Sequence, residues 1–320
     1  MRNYALSGKK VFVAGHRGLV GSAIVRRLER EDCQILTATR EQADLCNQAA
    51  TNDWFAAERP DTVILAAAKV GGIFANDTQP ADFIYQNLMI EANVIEAAHR
   101  HAVEKLLFLG SSCIYPKFAD QPIHEDALLT GSLEPTNEWY AIAKIAGIKL
   151  AQAYRKQHNC DFISGMPTNL YGPGDNFSLT SSHVLPALIR KAHEAKEAEA
   201  ESIVVWGTGT PRREFLHVDD LADACVFLTK HYSGHDHVNL GCGEDISILD
   251  LTKLVCDVVG FRGDIVHDFD KPDGAPRKLL DTGRLTQLGW QPSIPLREGI
   301  AETYQWFLQE LENGSLREAS

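Results

Sequence analysis

The feature that most constrains this chain is a glycine-rich turn that directly follows its first predicted strand. Residues 10–14 read K-V-F-V-A, a short β-branched and aromatic run typical of a buried strand. Gly15, Gly18 and Gly21 follow, and residues 22–28 (S-A-I-V-R-R-L) have helical periodicity. Glycines in this context allow a tight turn and a close approach of the backbone to a pyrophosphate that faces the helix N-terminus. The pattern predicts a dinucleotide site, although its spacing is G-x-x-G-x-x-G rather than G-x-G-x-x-G.

The segment after the second predicted strand, residues 33–38, bears on which dinucleotide is bound. An Asp or Glu near this point usually accepts a hydrogen bond from a free ribose 2′-hydroxyl. Here Arg40 comes first, Glu41 follows it, and Arg17 lies in the glycine turn. Two guanidinium groups suit a 2′-phosphate, so we expect NADP(H) rather than NAD. In the alternative interpretation, Arg40 is a solvated loop residue and Glu41 binds the ribose.

Composition limits the classes of function. At 320 residues the chain exceeds what one hydrophobic core usually fills, so one large or two coupled domains are expected. A net charge of -12 with no Lys/Arg-rich run argues against a nucleic-acid partner. The seven cysteines are scattered and contain no C-x-x-C pair, which indicates a reducing compartment. Because there is no signal-peptide core and no apolar run near the ~20 residues of a membrane span, we expect a soluble cytoplasmic protein with no membrane partner.

Predicted strands and helices alternate along the chain. Further strands are expected at residues 33–38, 62–68, 105–110, 162–166 and 203–206, and a long helix at residues 80–101. The alternation predicts an α/β fold with a Rossmann-like, doubly wound parallel sheet. We interpret residues 194–201 as a solvated helix end, residues 207–213 as a turn with two arginines, and the histidine-rich residues 231–237 as a surface loop rather than a metal site.

Tyr140 and Lys144 lie four residues apart in an Ala- and Ile-rich run, N-E-W-Y-A-I-A-K. On a helix, both side chains project from one face. A nearby ammonium favours the phenolate, so we expect Lys144 to lower the pKa of Tyr140. Such a phenol can donate a proton to a developing alkoxide. The same spacing also arises by chance in ordinary amphipathic helices, so its meaning depends on the rest of the chain.

Ser111 supplies that context, because it follows the strand predicted at residues 105–110. Ligands bind at the carboxyl ends of parallel strands, where a serine can bond both a substrate oxygen and the phenol of Tyr140. The glycine turn, this serine and Y-x-x-x-K, in that order, resemble the extended short-chain dehydrogenase/reductase superfamily. The resemblance implies that Lys144 also binds the nicotinamide ribose.

The same resemblance implies a discontinuous second domain. The segment E-F-L-H-V-D-D, residues 214–220, is similar to the superfamily segment that returns the chain to the cofactor domain. We therefore expect an NADP-binding Rossmann domain at residues 1–169 and 214–243, and a smaller α/β substrate domain at residues 170–213 and 244–320. M-P-T-N stands where many members have R-x-x-N before Y-G-P, so the loop that closes the nicotinamide pocket is a variant.

Seven segments between residues 11 and 307 together resemble one family more closely, the GDP-L-fucose synthases. They are A-G-H-R-G-L-V-G-S-A-I, A-A-A-K-V-G-G-I, F-L-G-S-S-C-I-Y-P, M-P-T-N-L-Y-G-P, S-H-V-L-P-A-L-I-R-K, G-T-P-R-R-E-F-L-H-V-D-D and K-P-D-G-A-P-R-K-L-L-D. The resemblance implies a bifunctional NADPH-dependent 3,5-epimerase/4-reductase that converts GDP-4-keto-6-deoxy-D-mannose to GDP-L-fucose. Cys113 and His183 match the family's epimerisation base and acid. From the residues alone, a small buried thiol and a structural histidine would be favoured.

The resemblance also implies the remaining site residues and a homodimer formed through the long helices. The catalytic residues would be Ser111, Cys113, Tyr140, Lys144 and His183. The cofactor would contact Gly15, His16, Arg17, Gly18, Leu19, Val20, Gly21, Arg40, Asp44, Leu45, Leu109, Gly110, Ser111, Ser112, Tyr140, Lys144, Pro167, Thr168, Asn169, Leu170 and His183. The GDP-sugar would contact Lys191, Trp206, Arg213, Asp273 and Lys278, with no metal.

Two other functions stay open at this stage. Another NAD(P)-dependent nucleotide-sugar epimerase or dehydratase would share the fold and most motifs. A dehydratase needs an acidic pair beside the catalytic serine, whereas this chain has Ser112 and Cys113, and a 4-epimerase would not consume its cofactor. A non-catalytic NADP-sensing regulatory protein is a rival of a different class, but such proteins commonly lose the Tyr or Lys that this chain keeps.

Overall fold

The computed structural model of the chain describes residues 3–178, 181–271 and 273–316, so Pro272 of the K-P-D-G segment lies outside the described residues. The strands are β1 (Lys10–Ala14), β2 (Gln34–Leu36), β3 (Thr62–Leu65), β4 (Lys105–Leu109), β5 (Phe162–Pro167), β6 (Asn169–Tyr171), β7 (Ser202–Trp206), β8 (Arg212–His217), β9 (Val238–Leu240), β10 (Asp245–Ser247), β11 (Asp264–Asp268) and β12 (Arg277–Lys278). The helices are α1 (Leu19–Leu28), α2 (Gln48–Glu58), α3 (Ile73–Thr78), α4 (Pro80–Arg100), α5 (Glu138–His158), α6 (Val184–Glu197), α7 (Val218–His231), α8 (Ile248–Val259), α9 (Gly283–Leu288) and α10 (Leu296–Glu312). None of these helices is long and apolar enough to cross a membrane.

The largest sheet has six parallel strands in the order β2-β1-β3-β4-β5-β9. Every residue of β3 and β4 is buried, because helices cover both faces. The order reverses between β1 and β3, and sheets of this kind bind ligands in the crevice outside the carboxyl ends of the strands at such a point. The Rossmann-like, doubly wound α/β fold predicted from the sequence is confirmed.

Alternate residues of the strands feed two separate hydrophobic layers. Val11 and Val13 of β1 pack with α1 and α7 on one face. Phe12 and Ala14 pack on the other face, with α2, α4 and α5. The two longest helices, α4 and α5, have 21 residues each and lie side by side. The period of two along β1 is therefore what divides the helices between the two faces.

Several boundaries differ from the sequence prediction. The second strand spans only Gln34–Leu36, and β3 ends at Leu65 because the chain beyond it packs against the glycine turn. β8 begins at Arg212, so the two arginines predicted in a turn lie on a strand that pairs with both β10 and β12. The short strand β9 was not predicted, because three residues are too few to show a hydrophobic period.

A smaller unit is built around β8, which pairs with β6 and β12 in parallel and with β10 in antiparallel. β7 and β11 form a separate parallel pair. Helices α6, α8 and α10 surround a core that includes Tyr171, Phe177 and Phe307. Leu285 of α9 and Trp290 pack instead in the core of the main sheet. The predicted division into two domains remains a prediction, and these two residues connect its parts.

Candidate active site

The glycine turn after β1 forms a cradle that only glycines permit. Gly15 has φ +88°, and a Cβ added to it would lie 2.7 Å from the backbone nitrogen of Ala67. A Cβ on Gly21 would lie 2.1 Å from the carbonyl oxygen of Gly15. Gly18 caps α1 without a side-chain hydrogen bond, so the first N–H groups of the helix are left for an anion. This geometry fits the pyrophosphate of a dinucleotide.

Arg17 of the glycine turn and Arg40, which follows β2, are both exposed to solvent. Arg17 and Arg40 both lower the pKa of the exposed Glu41 carboxyl, after the larger effect of its hydrogen bond with Thr39. Arg40 forms a loose ion pair with Asp44, in which 3.7 Å separates the Nε atom from the carboxylate oxygen, and both side chains are exposed to solvent. Because such exposed pairs contribute little energy, both guanidinium groups can turn to a phosphate. The predicted preference for a 2′-phosphate is consistent with this cluster.

The loop with Asp44 and Leu45 is held by its own backbone and by α4. One carboxylate oxygen of Asp44 accepts from the N–H of Cys46 at 3.0 Å. The carbonyl of Leu45 accepts from the side chain of Asn93 at 2.9 Å. The cofactor contact predicted for these two residues therefore depends on a loop that is already fixed, which lowers the entropic cost of binding.

Ser111 and Cys113 lie at the carboxyl end of β4. Ser111 caps a short 3₁₀ turn, Ser112–Ile114, and its Oγ accepts from the N–H of Cys113 at 3.4 Å. The preceding Gly110 has no room for a side chain, because an added Cβ would lie 2.3 Å from the sulfur of Met166. Within the described residues, Ser111 and Tyr140 make no hydrogen bond to each other, so the predicted bond between them remains a prediction for the bound state.

Tyr140 and Lys144 lie on α5, as predicted, with the Lys144 nitrogen 5.8 Å from the centre of the Tyr140 ring. The expected lowering of the Tyr140 pKa is wrong for the free protein. Burial raises the pKa of Tyr140 well above its ordinary value, and the charges of Cys113 and Glu91 raise it further. Lys144 is not among the groups that shift the pKa of Tyr140 in the free protein, and its ammonium is paired with Glu91 at 3.0 Å.

Three ionisable groups from distant parts of the chain influence one another electrostatically. Burial raises the pKa of the Cys113 thiol, while the positive charges of Lys278 and Lys144 act in the opposite direction. Burial lowers the pKa of His183, and the charge of Lys278 lowers it further. Burial also lowers the pKa of Lys278, partly offset by Cys113. Lys278 therefore connects the predicted base and the predicted acid.

His183 is solvent-exposed at the N-terminus of α6, although protein surrounds most of its ring, as expected for a side chain that lines a cleft. The loop before it contacts the segment that follows β3. The N–H of Gly72 donates to the carbonyl of Ser181 at 3.3 Å. That segment is in turn held by Asn87 of α4, whose amide bonds both the N–H and the C=O of Lys69. The loop that leads to His183 is thus held against the segment that follows β3 of the main sheet.

The predicted nucleotide contacts surround Trp206 at the end of β7. This indole is exposed, and the ammonium groups of Lys191 and Lys271 lie 5.3 and 5.6 Å from its ring centre. Burial lowers the pKa of Lys191. An exposed aromatic ring with two cations near it can stack on a base while the cations approach a diphosphate.

Arg213 and Asp273 have different surroundings. Arg213 Nη1 donates to two backbone carbonyls, those of Arg212 and Ala275, at 2.7 and 2.6 Å. No carboxylate in the described part of the chain pairs with it, and burial lowers the pKa of its guanidinium. Asp273 accepts from both the N–H and the hydroxyl of Thr208, at 3.0 and 2.7 Å. Arg213 is thus suited to an anion, whereas Asp273 holds the turn that follows Trp206.

The predicted pocket residues 167–170 lie where β5 passes into β6, against a buried acid on β8. The amide of Asn169 donates to the carbonyl of Glu214 at 2.8 Å. The Glu214 carboxylate is wholly buried and accepts from the N–H groups of Gly243 and Leu280, at 2.7 and 3.1 Å. These bonds fasten the segment with Lys278 to β8 and to the residues that follow β5.

The histidine-rich run 231–237 is only partly the surface loop that was predicted. His237 is buried, and its Nε2 lies 2.9 Å from the hydroxyl of Tyr115. Elsewhere, ligand atoms of His124, Glu125 and Asp281 lie within 4.8 Å of one another. That group includes an exposed histidine, and nothing else about it points to a metal.

Comparison with known proteins shows the family to which the chain belongs. Residues 11–241 match the NAD dependent epimerase/dehydratase family. A GDP-L-fucose synthase of Sinorhizobium fredii (strain NBRC 101917 / NGR234) is 61% identical over 311 residues, which cover 97% of this chain and 99% of that protein. GDP-L-fucose synthase 1 of Arabidopsis thaliana is 63% identical over 305 residues, 95% of this chain and 94% of the relative. The chain belongs to the GDP-L-fucose synthase family.

A solved member of the GDP-L-fucose synthase family has the same fold. The crystal structure of a GDP-L-fucose synthetase from Naegleria fowleri bound to NADP superposes with a TM-score of 0.89 at 28% identity, over 98% of both chains. The fold and family implied by the seven sequence segments are therefore confirmed.

Sequence reasoning missed three residues that shape this cleft. Glu91 pairs with Lys144, Asn87 holds the segment after β3, and Lys271 lies beside Trp206. A signal was present for the first two. Polar residues at positions 87 and 91 interrupt the apolar sequence of α4, and buried polar groups are kept only where they have partners.

Proposed function

We propose that this chain converts GDP-4-keto-6-deoxy-D-mannose to GDP-L-fucose, inverting C3 and C5 and then reducing C4 with NADPH. The observation that carries the proposal is the place of the Cys113 thiol, two residues after Ser111 at the carboxyl end of β4, with Lys278 close enough to act on both this thiol and the His183 imidazole. A reductase alone has no use for such a thiol and imidazole. Inverting a centre next to a carbonyl requires a base and an acid of this kind.

Epimerisation uses the carbonyl at C4 to acidify the protons at C3 and C5. Cys113, as a thiolate, removes each proton, and His183 returns one to the opposite face. Lys278 stabilises the thiolate and lies close enough to His183 to lower the pKa of its imidazole. Ser111 and Tyr140 donate hydrogen bonds to the enolate oxygen, because charge accumulates there during proton removal.

Reduction follows in the same cleft. Bound NADPH supplies the hydride that C4 accepts. Tyr140 donates the proton, and its raised pKa means that the phenol is fully protonated at neutral pH. Lys144 is the cation next to the ring and stabilises the phenolate that forms. Tyr140 can therefore donate a hydrogen bond to the enolate oxygen first and a proton to the same oxygen during the reduction.

The GDP portion binds across the second unit. Trp206 stacks on the base or ribose, with Lys191 and Lys271 close to its ring. Arg213, which lacks a carboxylate partner in the described residues, binds the diphosphate with Lys191. Asp273 contributes indirectly by fixing the turn after Trp206.

The deciding experiment supplies the purified protein with GDP-4-keto-6-deoxy-D-mannose in D2O, with NADPH or NADH. We expect deuterium at C3 and C5, one NADPH oxidised per sugar, GDP-L-fucose as product, and a slower reaction with NADH. A product inverted only at C4 without net NADPH oxidation would indicate a 4-epimerase. Binding of NADPH with no turnover would indicate a regulatory protein.

Replacing Lys278 with Met should move the pH profile of deuterium exchange to higher pH. Without the cation, the pKa of Cys113 rises, so less thiolate is present at neutral pH, and each unit of pKa costs about a factor of ten. The pKa of His183 rises as well, so both limbs of the profile move in the same direction. The measurement is the exchange rate at C3 between mildly acidic and alkaline pH.

Lys271→Met is the matched control for that experiment. This lysine contacts Trp206 and is not among the groups that shift the pKa of Cys113, so its loss should weaken substrate binding without moving the profile. If the pH profile of deuterium exchange did not move in Lys278→Met, Lys278 would have no role in the epimerisation step.

We further infer a homodimer and a cytoplasmic location. The adjacent helices α4 and α5 expose Tyr85, Trp139 and Ile142, a concentration of large side chains that favours an interface. All seven cysteines are free thiols, which suits a reducing compartment. Sedimentation equilibrium that gives a monomer at micromolar concentration would contradict the dimer.

A further inference from the structure

Glu91, in the middle of α4, forms a buried ion pair with Lys144. Its carboxylate oxygen lies 3.0 Å from the Lys144 nitrogen, and the exposed fractions of the two residues are 1% and 2%. Taking two charges out of water is expensive, and an apolar pair of similar size is often as stable. The stability of the fold therefore does not explain why this pair is present.

The space for the carboxylate comes from a glycine inside α5. A Cβ added to Gly147 would lie 2.7 Å from Glu91 Oε2 and 2.4 Å from the ring of Phe108. Glycine inside a helix costs about 1 kcal/mol relative to alanine. Gly147 lies three residues after Lys144, so the same helix contributes the cation and the room for its partner.

The acid depends on this one partner. Within the described residues, Glu91 Oε2 has no hydrogen-bond partner, and burial raises the pKa of the carboxyl against the effect of Lys144. Lys144 has two further contacts, since its ammonium donates to the carbonyl of Leu109 at 3.1 Å and lies 4.8 Å from the centre of the Phe108 ring. Both of these belong to β4, the strand that leads to Ser111.

We propose that Glu91 is a positioning residue for the reduction step: its carboxylate holds the Lys144 ammonium at the end of β4, beside the ring of Tyr140. The inference rests on the proposed function, in which Lys144 stabilises the phenolate of Tyr140. A lysine has four rotatable bonds, and a displacement of about 1 Å in a reacting group can cost on the order of 100-fold in rate. Epimerisation depends on Lys144 only through its charge on Cys113 and through Tyr140, so it tolerates a displacement of the ammonium better than the reduction step does.

The test measures both half-reactions in the intact enzyme carrying Glu91→Gln, which keeps the shape and removes the charge. We expect NADPH oxidation to fall by about 10- to 100-fold while deuterium exchange at C3 stays within about threefold of wild type. Glu91→Asp keeps the charge but places it one methylene farther from Lys144, so the rate of NADPH oxidation should fall less than in Glu91→Gln. If Glu91→Gln does not fold, Glu91→Asp carries the test on the same two rates.

Glu96→Gln is the matched control, because this acid lies on the same helix and its partners are Arg100 and the hydroxyl of Tyr154 rather than Lys144. It should leave both rates unchanged. Reduction at the wild-type rate in the Glu91 variants, or an equal fall of exchange and reduction, would overturn the inference, since a purely structural acid would affect both steps. A wild-type enzyme inactive in both assays refutes the proposed function and this inference with it, whereas a defect confined to the variants concerns the inference alone.

Discussion

Replacing Cys113 with serine should slow the exchange of the C3 and C5 protons with D2O by about 10²- to 10⁴-fold, the usual contribution of a general base. The hydroxyl is far less acidic than the thiol, and the site is buried, so no alkoxide forms to replace the thiolate. Binding of NADPH should persist, because the glycine turn and the arginines beyond β2 are untouched. Nuclear magnetic resonance of the recovered sugar measures the deuterium at each carbon.

Cys256→Ser provides the matched control. Cys256 and Cys113 both have an exposed fraction of 7%, but Cys256 packs in the core of the second unit, away from the cleft. The control should therefore have a similar thermal cost and normal exchange. Wild-type incorporation of deuterium at C3 in Cys113→Ser would show that another group is the base.

Tyr140→Phe should do the opposite: NADPH oxidation falls by about 10²- to 10⁴-fold, whereas proton exchange continues at a lower rate because Ser111 still donates to the enolate oxygen. In the free protein the phenol is held in its protonated form, which makes it a competent donor to the oxygen at C4. Phenylalanine keeps the ring between Phe83 and Lys144 and removes only the hydroxyl. The loss of absorbance of NADPH and the deuterium content of the unreduced sugar report the two steps separately.

Tyr85→Phe is a suitable control because this tyrosine is exposed on α4. A sharper version mixes the two catalytic variants in one tube. Tyr140→Phe should release a sugar inverted at C3 and C5, and Cys113→Ser should reduce it, so that GDP-L-fucose is formed by the mixture. Normal turnover by Tyr140→Phe alone would remove the tyrosine from the reduction step.

The cofactor-binding half could be predicted because its signals are local. Strand, glycine turn and helix follow one another within residues 10–28, and Gly21 is required by a contact with Gly15 inside that segment. Arg17 and Arg40 were also predicted from their positions alone. Strand ends were less predictable, since β3 stops where it meets Gly15 and not where its apolar run ends.

The identities of the catalytic residues could be predicted from the sequence, but the directions of their pKa shifts could not. Family resemblance named Cys113, Tyr140 and His183, which follow different elements. The pKa of Tyr140 depends on its burial and on the charges of Cys113 and Glu91, neither of which lies on α5. Contacts between side chains remote in sequence have no local pattern, so the sign of this pKa shift could not be read from the Y-x-x-x-K motif.

The buried carboxylate of Glu214 also has a consequence for the order of assembly. It holds the backbone next to Lys278, so the cation shared by Cys113 and His183 is placed only after β12 has been synthesised and has docked on β8. The glycine turn and Tyr140 belong to elements that leave the ribosome much earlier. During synthesis, the parts that grip the dinucleotide are therefore complete before those that activate the thiol. Of the two cations that favour the Cys113 thiolate, Lys144 is therefore synthesised early on α5, and Lys278 is the last to be added.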